Sequence, residues 1–304
     1  MKSKVQLFPV FVDHLLHLEK TYETYPALEA EDKRALDFIY HIKDEFDFKN
    51  IVNFALPRNL GSIPEMFAGM DIGEILTTFT PNAKLPFDQI AIEMELRTDD
   101  GVVEEGNYLE DLVILAKNQV VDGENFIDII VNYGLVIRSG NGKKKGKAFK
   151  SSDAVIRMST DPSKSEDDWV KIILVDYEDQ LTDEARDQLM QICKQGAYTL
   201  IFMMAALSCQ NVGIHQDFPP SIVENNKRVK KKQTPYRQMH YIVVKPNAQK
   251  GEKNANKGSY KPKSTHIRRG HIRRYADKGI SIWIESTVVN GGAGEAKAKE
   301  YVLR

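Results

Sequence analysis

Residues 109–137 read LEDLVILAKNQVVDGENFIDIIVNYGLVI, and this stretch decides the fold class. Two runs rich in Val, Ile and Leu, residues 109–121 and 126–137, lie either side of Asp122-Gly123, a dipeptide suited to a tight turn. β-Branched and aromatic residues pack well on a pleated surface, so both runs are expected to be antiparallel strands. Just upstream, residues 87–97 alternate. Ile90, Ile92, Met94 and Leu96 fall on one face, with Gln89, Glu93, Glu95, Arg97 and the small Ala91 on the other. The spacing predicts a meander of two or three antiparallel strands. Residues 138–150, with Gly140, Gly142, Gly146 and several lysines, read as a hairpin tip. Their glycines miss the G-x-G-x-x-G spacing by one residue and no Lys-Ser/Thr follows, so they do not form a phosphate-cradling loop.

Helical patterns flank this centre. Phe11, Leu15, Leu18 and Tyr22 form one stripe at i, i+4, i+7 and i+11, and Leu36, Ile39, Tyr40 and Phe46 form a second. Residues 51–79, punctuated by Pro57, Gly61 and Pro64, are expected to add short helices. A long helix is expected over Asp183–Leu207, because Leu189, Ile192, Cys193, Leu200, Met203, Met204 and Leu207 keep helical spacing. Acids at 183, 184 and 187 suit its first turns. The second half of this helix is apolar on nearly all sides, which marks it as a central core element. The expectation is an α+β fold: an N-terminal helical lobe (residues 1–80) packed on a mainly antiparallel body (81–304). A long central buried helix and a basic C-terminal β-ribbon complete it, the whole forming one folding unit.

A chain of 304 residues with 42% hydrophobic and 28% charged residues is ordinary for a globular protein and needs no covalent staples. Two cysteines, Cys193 and Cys209, are too few and too far apart for a disulfide framework or a Cys-based zinc site, and read as buried free thiols. The apolar stretch 197–209 falls short of the roughly 18 residues of a membrane span. Met1-Lys2-Ser3-Lys4 lacks a signal-peptide core. These features lead us to expect a cytoplasmic protein, with no membrane partner and no cofactor or metal.

Charge is informative by region. The chain carries −1 overall, yet residues 227–275 hold sixteen Lys or Arg and a single acid, Glu252. A basic surface on an otherwise acidic body suits phosphate-rich partners such as RNA or the ribosome. Residues 227–232, with Lys230, Lys231 and Lys232, form a charged turn in this reading, and 240–244 a short strand. Residues 246–264, rich in Lys, Asn and Gly, read as a solvated loop.

Within the basic third, His266-Ile267-Arg268-Arg269-Gly270-His271-Ile272-Arg273-Arg274 repeats His-Ile-Arg-Arg at an interval of five. An odd interval turns equivalent strand residues to opposite faces, and a bulge at Gly270 would bring both halves to the same side. Four arginines there offer bidentate forks to phosphate oxygens. Tyr236, Tyr241, Tyr260, Tyr275 and Trp283 are near in sequence and suited to stacking on unpaired bases. The alternative is a charged sheet edge that deters aggregation. His266 and His271 also have the chemistry of an acid–base pair for RNA cleavage, an alternative left open. Asp88, Glu93 and Glu95 alternate as in a nuclease metal site, but solvated strand residues explain them more simply. No G-x-S-x-G nucleophile elbow occurs.

The stretch His266–His271, followed by an aromatic residue, a polar turn and a Trp-containing strand, resembles a family of phage and plasmid proteins. Its best-known member is the type V-A anti-CRISPR protein that blocks biogenesis of the CRISPR effector nuclease. Leu85-Pro86-Phe87-Asp88, the apolar helix before Asn211, and residues 226–243 occur in the same order. The chain departs from that member at Ile272-Arg273-Arg274 and in its helical start. The resemblance implies a counter-defence or host-takeover factor. Such a factor recognises a specific nascent polypeptide of its host or of a defence system and represses its production, with loss of the encoding mRNA; the alternative is a direct inhibitor that binds a mature defence complex.

Overall fold

The computed structural model describes residues 6–24, 30–56, 84–95, 108–138, 144–159, 161, 170–174, 182–217, 220–244, 266–268, 271–284, 287–289 and 301–302. Two helices open the chain, α1 (Leu7–Thr24) and α2 (Ala30–Glu45). Strand β1 (Val52–Leu56) follows, then β2 (Gln89–Glu95), β3 (Tyr108–Val121), β4 (Glu124–Arg138), β5 (Lys144–Ser159) and β6 (Val170–Leu174). Next come the long helix α3 (Asp183–Leu207), β7 (Val212–Gln216), α4 (Ile222–Lys230) and β8 (Met239–Val244). The short strands β9 (His266–Arg268), β10 (His271–Tyr275), β11 (Ile280–Ile284), β12 (Thr287–Val289) and β13 (Tyr301–Val302) complete the described elements.

Among the described residues, β2 to β6 form a five-strand antiparallel meander, longer than the two or three strands the spacing suggested. Asp122 and Gly123 both take positive φ, 52° and 84°, the geometry of a tight two-residue hairpin turn. The sheet is mixed, because β1 pairs in parallel with both β2 and β8. β8 also pairs antiparallel with β7 and with β13. Val52–Leu56, expected to be helical, is instead a strand. Its five residues, bracketed by a turn and Pro57, are too few for a stable helix but enough for a buried strand. Residues 144–150, expected in a hairpin tip, belong to β5. They pair with 133–138 and so extend the ladder.

Both faces of the sheet are covered. Ile90, Ile92 and Met94 of β2, with Leu112, Ile114, Ile129, Val131 and Ile156, pack against Cys193, Ala197 and Leu200–Ala205 of α3. Gly196 permits close approach, since a Cβ there would collide with the Val131 Cγ2. The opposite face carries Ala91, Val113, Leu115, Ile130 and Val155, covered by Phe8, Phe11 and Leu15 of α1 and Phe38 and Ile42 of α2. The face of β2 read from sequence as polar is therefore covered rather than solvated. Glu93 is buried, 6% exposed, and its carboxylate accepts the N–H groups of Leu7 (2.8 Å) and Phe8 (2.9 Å) and the Asn53 amide (3.0 Å). It caps the start of α1, where the first N–H groups have no helical partner.

Beyond the rim of this second core a polar row crosses five strands in register: Gln89, Lys117, Asp128, Arg157 and Lys171. Arg157 grips Asp128 with two bonds of 2.8 and 2.9 Å, and Lys117 pairs with Glu45 of α2. The row is a margin between core and solvent in which Asp128 is held by Arg157 and Lys117 by Glu45.

Candidate functional site

Residues 220–244 hold the most unusual surface among the described residues. Helix α4 carries Glu224 in its first turn and Lys227, Arg228 and Lys230 in its last, matching the helix dipole. The helix is inverted relative to an ordinary surface helix. Its inward side is polar, formed by Glu224, Asn225 and Arg228, whereas Ile222, Val223 and Val229 are 78%, 64% and 57% exposed. None of its residues is buried. Residues 227–232, expected to be a charged turn, continue the helix to Lys230, and Lys232 then takes φ 57° to end it.

The polar side explains why this helix sits where it does. Arg228 pairs with Asp13 of α1 at 2.9 Å, donates to the Thr234 carbonyl at 2.6 Å and stacks 4.3 Å over the Tyr236 ring. Asn225 makes a reciprocal pair with the Tyr236 backbone at 2.8 and 2.9 Å. Gln6 makes a similar pair with the Arg237 backbone at 2.8 and 2.5 Å. α4 and the segment entering β8 thus form one hydrogen-bonded unit riding on α1.

At the N-terminal ends of the parallel strands β1 and β8 lies a cavity of about 510 Å³. Lys49, Arg237, Gln238 and His240 supply its polar lining, and Ile51, Val52 and Pro235 its apolar walls. The Arg237 guanidinium donates to the Ile51 carbonyl at 3.3 Å and lies 5.4 Å over the Phe8 ring. Burial holds it below the usual arginine range, partly offset by Asp47. His240 Nδ1 is 3.2 Å from the Asn53 carbonyl, which the Nδ1–H tautomer satisfies. Its ring packs on Phe54 and Phe87 at 5.5 and 5.6 Å, and burial lowers its pKa.

Of the residues expected to contact nucleic acid or the ribosome, Lys230, Lys231 and Lys232 are exposed at the end of α4. His266 and Arg268 lie in β9, and His271, Arg273 and Arg274 in β10; Arg269 and Gly270 lie outside the described residues. β9 pairs with β12 and β10 with β11, as two short antiparallel ladders. Arg273 is exposed and 4.9 Å over the Tyr275 ring. The Gln210 N–H, just past α3, donates to the Ser281 carbonyl at 3.0 Å and ties β11 to the body. The expected solvated loop 246–264 lies outside the described residues.

The sequence reading missed the cavity. Lys49 and Arg237 are remote in sequence, and only the parallel pairing of β1 with β8 brings them together. The other carboxylates and thiols have structural settings. Glu93 caps a helix, while Cys193 and Cys209 are buried thiols outside any disulfide, the Cys209 thiol pushed up to about 11 by burial. Among the described residues no three His, Cys, Asp or Glu side chains cluster to hold a metal, and no helix is long and apolar enough to cross a membrane. No family model, no curated protein and no solved structure matches the chain.

Proposed function

We propose that this protein is a phage or plasmid counter-defence or host-takeover factor. In this reading it recognises a specific, nascent host polypeptide and represses its production, with loss of the encoding mRNA. The observation that supports binding is helix α4, which turns Ile222, Val223 and Val229 outward beside Lys227 and Lys230. Exposed apolar residues on an otherwise well-paired helix forgo the burial that stabilises most surface helices, so a partner is the natural cover. Flanking lysines select a segment in which acidic residues accompany apolar ones. The doubled His-Ile-Arg-Arg element supports the counter-defence part by its resemblance, and its arginines suit ribosomal RNA or mRNA.

The test is recovery of the tagged protein from infected or plasmid-bearing cells, with ribosome fractions probed. One host polypeptide should be enriched on ribosomes with the wild-type protein, and its mRNA should fall. Ile222→Asp with Val229→Asp should abolish the enrichment while changing stability by no more than about 0.5 kcal/mol, as for exposed sites. Recovery of a finished complex without ribosomes, or undiminished enrichment with the double variant, would overturn the reading.

A further inference from the structure

We infer that the cavity between the ends of β1 and β8 is a binding site for an oxyanion, a carboxylate or phosphoryl group, held by Arg237 and Lys49, with the His240 ring on its wall. The argument begins with the guanidinium of Arg237. It is half-buried, and among the described residues its side chain makes one hydrogen bond, to the neutral Ile51 carbonyl. A guanidinium has five N–H donors in a planar fork, so most of its donor capacity remains for a ligand. Phe8 beneath the group and the Gln6 pair with its backbone fix its position before any ligand arrives. Pre-set geometry lowers the ordering cost of binding.

The surrounding charge favours an anion. Lys49 lines the same space, and among the described residues the acid within electrostatic reach of Arg237 is the exposed Asp47. The Asp47 carboxylate is already engaged by the Lys49 backbone N–H at 2.9 Å and the Asn50 amide at 2.6 Å. An oxyanion would relieve the desolvated guanidinium directly, and a charge-assisted bond from Arg is among the strongest available. Gln238 has committed its amide N–H to the Asp217 carbonyl at 2.6 Å, so it shapes the wall more than it selects charge. Ile51, Val52 and Pro235 leave room for carbon atoms beside the anionic group. The site is separate from the exposed face of α4, so it can be occupied or empty whether or not that face binds a polypeptide.

The test uses the full chain at constant ionic strength with glutarate, inorganic phosphate and the neutral diamide of glutarate as probes. Binding is read by calorimetry and by shifts of the His240 ring signals. Saturable binding of glutarate or phosphate, absent with the diamide, is expected, and the preferred probe names the source of the oxyanion. Lys49→Ala removes an exposed side chain and should weaken binding about tenfold with the fold intact. Arg237→Gln should abolish it. Should that variant fail to fold, Arg237→Lys keeps the charge but loses the fork, and is expected to weaken binding by a similar factor. The inference is overturned if neither anion binds above the diamide. Binding left unchanged by Lys49→Ala and by whichever Arg237 variant folds would overturn it equally.

Discussion

The Glu93 carboxylate accepts the Leu7 backbone N–H at 2.8 Å across 86 residues of chain, joining the middle of a sheet strand to the first turn of a helix. The same carboxylate takes the Phe8 N–H and the Asn53 amide, so three elements converge on one buried charge. Glu93→Gln replaces an acceptor oxygen with a donor that must face another donor. Buried donors left without acceptors cost about 1–3 kcal/mol each, so the variant should lose about that much in chemical denaturation. Because α1 also anchors α4 through Asp13, and Gln6 just before it anchors the entry to β8, amide exchange should rise at 222–238. A variant as stable as wild type, with unchanged exchange there, would show that the cap contributes nothing.

The hairpin at Asp122-Gly123 was legible because its signal is local: two β-rich runs and a turn dipeptide whose φ values are positive in the structure. The face of β2 around Glu93 was misread for a physical reason. Alternation distinguishes two faces but does not say which is wet, and a carboxylate that caps a distant helix looks like a solvated one. Val52–Leu56 was misread because a short apolar run fits either helix or strand until its neighbours are known. The candidate site fared worst. Lys230–Lys232 stood out by charge, but the exposed Ile222 and Val229 have no sequence mark that separates them from core residues. Arg237 and Lys49 gain meaning only when β1 and β8 lie side by side.

Three histidines make stability depend on pH in a defined direction. Burial lowers the pKa of His14, His41 and His240 below the ordinary histidine value of 6.5. Around His14 the Phe149 backbone bond opposes the shift and His17 adds to it; around His41, Lys117 adds to it while Asp128 and Asp44 oppose it. Near His240 the Asn53 carbonyl opposes it. A group with a depressed folded pKa binds protons more readily when unfolded. Its contribution is therefore present above about pH 6.5 and is lost as pH falls from there through the lowered folded values. Thermal melts on either side of that value, from about one pH unit above to one below, should show a midpoint that falls on the acid side. His14→Gln with His41→Gln should flatten that slope, and an equal slope in the variant would assign the pH dependence to other groups.

The doubled basic element yields the last prediction. Arg268 faces Thr287 in the β9–β12 ladder, and His271 faces Ile284 in the β10–β11 ladder. The bulge expected at Gly270 lies outside the described residues. Arg268, Arg269, Arg273 and Arg274, close together in sequence, are suited to tracking a phosphate backbone, whose binding depends on charge more than on which face a single residue occupies. Changing all four arginines to Ala should weaken association with ribosomes or RNA. It should also reduce the slope of log affinity against log salt by up to roughly 0.7 for each single-strand phosphate no longer neutralised. His266→Ala with His271→Ala should leave that slope nearly unchanged if the histidines serve no catalysis, and RNA incubated with either protein should stay intact. RNA cleaved by the wild type and spared by the histidine variant would make this element a nuclease centre instead. An unchanged salt slope in the arginine variant would leave it a charged edge that keeps the sheet from pairing with a neighbour.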